Sequence, residues 1–172
     1  MKIFITTGTP EFMEKLQEKF SAEKLFIMYG ASHSILLHET EGKTLFQTPR
    51  RYEVIGSYGN FEEVGYFVFN HIPVTDEGRP VFEHHFKNHY NILQKRAGFI
   101  AFRLLRPLGS DTYIILTEWK DAFSFNQWKA TPEYGRVHAT ETSGAGVDRA
   151  AHLFSSAPYI TTYQKKKNEE KA

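Results

Sequence analysis

The 172-residue chain contains no cysteine. Disulfides, cysteine zinc sites, iron–sulfur clusters, thiol nucleophiles, covalently attached haem and a thiolate haem ligand are therefore excluded. The absence also fits a reducing compartment. Charge imbalance is missing too. Against 21 basic side chains stand 20 acidic ones, a net +1, so there is no overall basic footprint for nucleic acid or an anionic membrane. No stretch approaches the apolar length of a membrane span, and "MKIFITTGTPEFMEKL" lacks the apolar run of a signal peptide. The expectation is a cytoplasmic protein with neither nucleic-acid nor membrane partners. The "TSGAGVD" run is no phosphate loop, since no GK[ST] follows it and no strand precedes it, and there is no nucleophile elbow.

What the chain does have is an excess of aromatic residues, 15% with 15 Phe, which a core or a pocket must house. Its length suits one compact domain or two very small ones.

"MKIFITTG" reads as a strand and "TPEFMEKLQEKF" as a helix, with Thr9 as N-cap, Pro10 in the first turn and Phe12, Leu16 and Phe20 on one stripe. "KLFIMYG" and "HSILLHET" follow as strands, with "EGKT" a hairpin turn into "LFQTP" and "RRYEVIGSYGNFEEVG" a turn-rich connector. A second unit opens with "YFVFNHIPV", a strand apolar enough to be covered on both faces. "RPVFEHHFKNHYNILQKRAG" is a helix with Phe82, Phe86 and Leu93 on its core stripe and a stop at Gly98. "FIAFRLLRPL" and "TYIILTEW" are strands. "DAFSFNQWKA" is a helix capped by Asp121, and "PEYGRVHATE" another, capped by Thr131 with Pro132 behind it. "PYITTYQ" closes the order as a strand, and residues 165–172 form a solvated, disordered tail. The order strand–helix–strand–strand–helices–strand is ferredoxin-like. The first unit is a partial copy of it. The fold class is therefore α+β, ferredoxin-like with antiparallel sheets, with residues 1–60 packing on a unit at 64–164 through two sheets set face to face.

Three positions are candidates for carrying chemistry. Trp128 shares a helical face with Ala122 and Phe125, and His138 shares one with Tyr134, Val137 and Glu141. The Thr-Pro break between the two helices re-aims the second, so the indole and the imidazole can address a common space. A lone Trp or His on an apolar helix face is more often core than site. Asn70 sits among apolar neighbours in a strand, where its amide must find partners or cost roughly 1–3 kcal/mol, and such an Asn is more often structural than catalytic. His84, His85 and His89 form a rival cluster. His85 and His89 stand at i and i+4, but without HExxH or a recurring carboxylate pair a solvated polar face is the better reading.

Taken together, "FN" at 69–70, "FNQW" at 125–128 and "EYGRVH" at 133–138 resemble the haem-degrading, IsdG-like monooxygenases of the antibiotic biosynthesis monooxygenase (ABM) superfamily, which use an Asn–Trp–His trio. "HETEGKTLFQTPRRYEVI", "VTDEGRPVFEHHFKN", "LRPLGSDTYIILTEW" and "YITTY" extend the resemblance to longer members with an N-terminal extension, over nearly the whole chain. The resemblance implies that His138 is the axial ligand to haem iron, that Trp128 presses on the porphyrin face, and that Asn70 donates a hydrogen bond to dioxygen on the distal side. Haem would be both substrate and cofactor, opened with O2 and an external electron donor to release iron. In short relatives two subunits build the barrel. Here the N-terminal copy would supply the second half, giving a monomer. More distantly the chain resembles the staphylococcal TRAP proteins, whose pattern lacks the Asn and Trp. Two alternatives stand beside the haem enzyme: a haem-binding or haem-sensing protein without turnover, and a cofactor-independent quinol monooxygenase. Arg136, near His138, is an exposed arginine that could meet a propionate.

Overall fold

The computed structural model describes residues 1–62, 65–138 and 153–165. The strands are β1 (Lys2–Gly8), β2 (Leu25–Tyr29), β3 (Ser34–Thr40), β4 (Arg50–Tyr58), β5 (Tyr66–Pro73), β6 (Phe99–Leu108), β7 (Thr112–Trp119) and β8 (Tyr159–Gln164). The helices are α1 (Pro10–Lys19), α2 (Arg79–Phe86), α3 (Tyr90–Leu93), α4 (Ala122–Lys129) and α5 (Pro132–Val137). All strand pairs are antiparallel, and they close into one barrel in the order β1-β3-β2-β8-β5-β7-β6-β4.

That order contains the same arrangement twice. The first half runs β4-β1-β3-β2 and the second β8-β5-β7-β6. The halves meet edge to edge rather than face to face, because each sheet's outer strands have unpaired backbone groups that the other half satisfies. One seam is long: β4 and β6 pair from Arg51↔Leu108 to Tyr58↔Phe102, with a bulge between Val54 and Gly56. The other is short, a single Tyr29↔Gln164 pair between β2 and β8.

Alternation along the strands divides the core. Ile3, Ile5, Phe26, Met28, Ile35, Leu37, Phe67, Phe69, Ile114, Leu116 and Tyr163 fill the barrel interior. Their sequence neighbours face outward, under α1 in the first half (Phe4, Leu25, Ile27, Leu36) and under α2–α5 in the second (Val68, Ile72, Phe102, Leu104, Ile115). Inside the barrel, Arg103 pairs with Glu39 across the halves at 2.6 Å and also donates to the carbonyls of Tyr58, Gly59 and Phe102.

Four local expectations change. The 50–58 segment is a full strand, not a connector, since Tyr52 and Val54 alternate into the core. Residues 45–49 do not form the expected hairpin strand; Phe46 instead tucks into the cluster beneath α1. On α1 the buried residue is Met13, and Phe12 is 55% exposed. Residues 79–93 are two helices rather than one. After Phe86 the bonding tightens to three-residue steps, His89 to Phe86 and Asn91 to Asn88, a 3₁₀-like turn. The expected caps of Thr9, Asp121 and Thr131 all form. Residues 139–141, the "TSGAGVD" run and 166–172 lie outside the described residues.

Candidate active site

The site lies on the outer face of the second half, between the sheet and its helices. The central strand β5 supplies the floor. Asn70 pairs with Ile115 on β7 and Ile160 on β8, so Val68, Asn70, Ile115, Thr117 and Ile160 form one patch. Phe69 and His71, one residue to either side, face into the barrel instead.

The opposite wall is α4–α5. Gly98, at φ +83, lets α4 come close: a Cβ there would stand 2.1 Å from Ser124 Oγ. The Asp121 carboxylate accepts the Ser124 N–H at 2.9 Å and fixes where α4 starts. Thr131 then joins the two helices with one hydroxyl. It donates to the Trp128 carbonyl at 2.8 Å and accepts the Tyr134 N–H at 3.1 Å, an N-cap that also clasps the end of the preceding helix. His138, the C-cap of α5, has its N–H bonded to the Tyr134 carbonyl. Its ring lies 4.2 Å from that of Tyr134 and 5.9 Å from that of Phe86.

Asn70, Trp128 and His138 therefore line one cavity, and each is buried. Arg96 braces Trp128 from the far side, with its guanidinium 4.7 Å from the indole and an ion pair to Glu133 on α5. Beyond Trp128 on that side lies a groove of about 390 Å³ lined by Arg96, Phe123, Gln127 and Thr131. Arg136 is exposed.

The histidine cluster splits. His84 and His85 are exposed, and His85 Nε2 reaches the Val137 carbonyl at 3.3 Å. His89 is 5% exposed and lines the cavity, against the expectation of a solvated face. Its ring centre is 5.7 Å from that of His138 and 6.4 Å from that of Trp128. Burial, helped by the neighbouring imidazoles of His138 and His85, pushes it down to about 3, so it is neutral at ordinary pH. The signal that marks His89 is its spacing. It continues the stripe Phe82, Phe86, His89, Leu93, whose other members are buried.

The cavity itself is small, about 20 Å³, room for roughly one water. Sites for larger organic ligands run to about 300–1,000 Å³. The residue types suit a flat iron-bearing macrocycle: an imidazole to ligate, an amide to donate, an indole to stack and an apolar floor. The volume does not, being far below what such a ligand fills. Among the described residues no group of three or more His, Asp or Glu could hold a metal ion, and no helix is long and apolar enough to cross a membrane.

Residues 65–140 match the family model described as antibiotic biosynthesis monooxygenase. That stretch is similar to the ABM family over residues 65–140. The match begins just before β5 and runs past α5, and so spans both walls of the cavity. The relatives of the whole chain point two ways. A heme-degrading monooxygenase of Listeria monocytogenes is 28% identical over 131 residues, 76% of this chain and 78% of that one. The signal transduction protein TRAP of Staphylococcus aureus is 25% identical over 162 residues, 94% of this chain and 93% of that one. The solved structure of a major regulator of staphylococcal pathogenesis superimposes with a TM-score of 0.83 at 24% identity, over 97% of this chain and 100% of that one. That likeness concerns the fold.

Proposed function

We propose that this chain is a haem-degrading monooxygenase that binds haem non-covalently and, with O2 and an external electron donor, opens the porphyrin ring and releases its iron. The observation that carries the reading is the convergence of Asn70 from β5, Trp128 from α4 and His138 from the end of α5 on one cavity. The 28% identity to a heme-degrading monooxygenase supports it.

Haem supplies the iron at which O2 is activated and the ring that is attacked. The protein's part is to hold and to shape. His138 offers an imidazole nitrogen to the iron. Trp128, held by Arg96 and by the Thr131 clasp at its carbonyl, presents a rigid face to the macrocycle. Asn70 offers an amide N–H, a donor whose availability does not change with pH. The surrounding apolar side chains exclude bulk water from the reacting face. That the barrel closes within one chain supports a monomeric working unit.

The test is anaerobic haem loading followed by reductant and air. Loss of the Soret band with appearance of an open-chain tetrapyrrole is the expected result. A band that persists while free haem bleaches would refute the enzyme. A second reading, haem retention without turnover, draws on the 94% coverage by the TRAP relative. It predicts stoichiometric haem binding with no ring opening in the same experiment.

A further inference from the structure

We propose that the groove on the outer side of Trp128 is a second ligand site, built for a small aromatic carboxylate about the size of benzoate. The inference is independent of the haem reading. Among the described residues Trp128 alone lines both spaces.

The groove holds about 390 Å³, within the roughly 300–1,000 Å³ of small-molecule sites. A helix, about 10–12 Å across, would need more room for two turns. Both walls are fixed. On one side the loop after α3 is folded tight, with the Arg96 N–H on the Leu93 carbonyl at 2.8 Å and the Phe99 N–H on the Arg96 carbonyl at 3.3 Å. On the other side the Asp121 cap sets where α4 starts.

The polar side chains of the groove divide into used and unused. The Ser124 hydroxyl donates to Asp121 at 2.8 Å, and the Thr131 hydroxyl is taken up by its clasp. Arg96 sits over the indole and gives Nη2 to Glu133. Among the described residues its Nε and Nη1, and the Gln127 amide, have no hydrogen-bond partner. A stacked guanidinium keeps its in-plane N–H groups for a carboxylate. Beside them stands Phe123, 68% exposed although Phe125 on the same helix is buried. Its ring is free for an offset or edge-to-face partner.

Charge points the same way. Asp121 and Glu133 are the acids of α4, α5 and their N-caps, and both are engaged, with Ser124 and with Arg96. Lys95, Lys120 and Lys129, next to the lining residues in sequence, make no ion pair among the described residues. A ring, a cationic fork and an amide are thus left for a ligand that carries an arene and a negative charge.

The test titrates benzoate into the full isotope-labelled chain, beside benzyl alcohol, which lacks the charge, and acetate, which lacks the ring. Saturation-transfer NMR reports contact with the ligand's protons. The chain has two Trp, so the indole N–H signal lost in Trp128→Phe identifies Trp128 and reports where binding occurs. Benzoate should bind with a Kd of about 1 mM, ordinary for a ligand of its size, and should move the Trp128 signal while leaving that of Trp119 in place. Phe123→Ala and Arg96→Gln should each weaken binding about fivefold or more with unchanged circular dichroism, and both control compounds should bind at least about fivefold more weakly than benzoate. Glu133→Gln, which frees a further Arg96 N–H and removes a negative charge, should hold or tighten binding. The proposal is overturned if benzoate does not bind, if Phe123→Ala or Arg96→Gln binds as wild type does, or if benzyl alcohol matches benzoate. A dimer in light scattering that Phe123→Ala splits would assign the groove to a second copy of the chain, and would overturn it too. Either result leaves the haem reading standing.

Discussion

The guanidinium of Arg96 lies 4.7 Å from the ring of Trp128, on the side away from the cavity, and its other partner is Glu133 at the start of α5. One side chain thus ties the indole to the helix that ends in His138. A cation–π contact at a partly exposed position contributes about 0.5–1 kcal/mol, and a half-exposed ion pair adds little. Arg96→Met should lower stability by about that amount in urea denaturation. It should lower the rate of haem ring opening by a larger factor than it weakens haem binding. Equal losses in rate and affinity would show that Arg96 does not set the indole's position.

Asn70→Ala and Trp128→Phe separate chemistry from binding. Each should keep haem affinity within about tenfold of wild type and reduce turnover by about 10²-fold or more, since the proposed iron ligand is His138. Trp128→Ala would add a packing loss of about 3–5 kcal/mol, which makes Phe the cleaner probe. Single-turnover absorbance under reductant and air reads both, and unchanged turnover in either variant would remove that residue from the site.

Glu118 provides a pH test. It sits fully buried at one end of the barrel and accepts the Glu62 N–H. Burial raises its carboxyl to about 8 against an ordinary 4.5, although the Glu62 N–H, Lys165 and Arg103 pull the other way. The folded chain therefore keeps a proton that the unfolded chain releases. This contribution is fully present below pH 4.5 and is lost as pH rises through 8. Glu118→Gln should lack the loss, so its melting temperature should gain on wild type steadily from pH 5 to about 8. Parallel curves would rule out the buried acid.

His71, also inside the barrel, works in the opposite sense. It stacks on Tyr159 at 4.5 Å, and its Nε2 lies 2.9 Å from the Thr161 hydroxyl. Burial, with the Arg50 charge in support, lowers it to about 4 from 6.5. Its contribution is present above pH 6.5 and is lost as pH falls toward 4, because only the unfolded state takes up the proton in that window. His71→Gln should therefore gain on wild type as pH falls from 7 to 4, as measured by thermal melts. A constant difference would place no proton-linked penalty at this residue.

Arg103 and Glu39 join the two halves inside the barrel, with side chains 6% and 17% exposed. Removing one partner leaves the other charge buried, so Arg103→Met should cost about 3–5 kcal/mol, and the double change Arg103→Met/Glu39→Leu should recover most of it. A double-mutant cycle in urea checks this, and simple additivity would refute it.

Much of this fold can be read from local pattern. Thr9, Asp121 and Thr131 announce their helices because a cap is a contact within three residues, and β5 announces double coverage by its unbroken apolar run. What escapes is non-local or interrupted. The alternation of Tyr52 and Val54 is broken by the bulge at Gly56, so β4 looks like a turn. The pairings of β2 with β8 and β4 with β6, which turn two sheets into a barrel, leave no trace in periodicity. Asn70, Trp128 and His138 can be singled out from the residues, but each alone looks like core, and their roles come from the resemblance. His89 was masked by its polar company, "EHHFKNHY", although the spacing from Phe82 and Phe86 already placed it inward.

The doubled strand order has a consequence for how this molecule can vary. In a barrel built from two identical subunits every substitution appears twice, and a useful change on one side must be tolerated on the other. Here the order repeats but the residues do not. Beneath α1, where the second half keeps its cavity, the first half is packed with Met13, Phe46 and their neighbours. A substitution therefore falls on one side only. The packing of the first half can change without touching the cavity of the second.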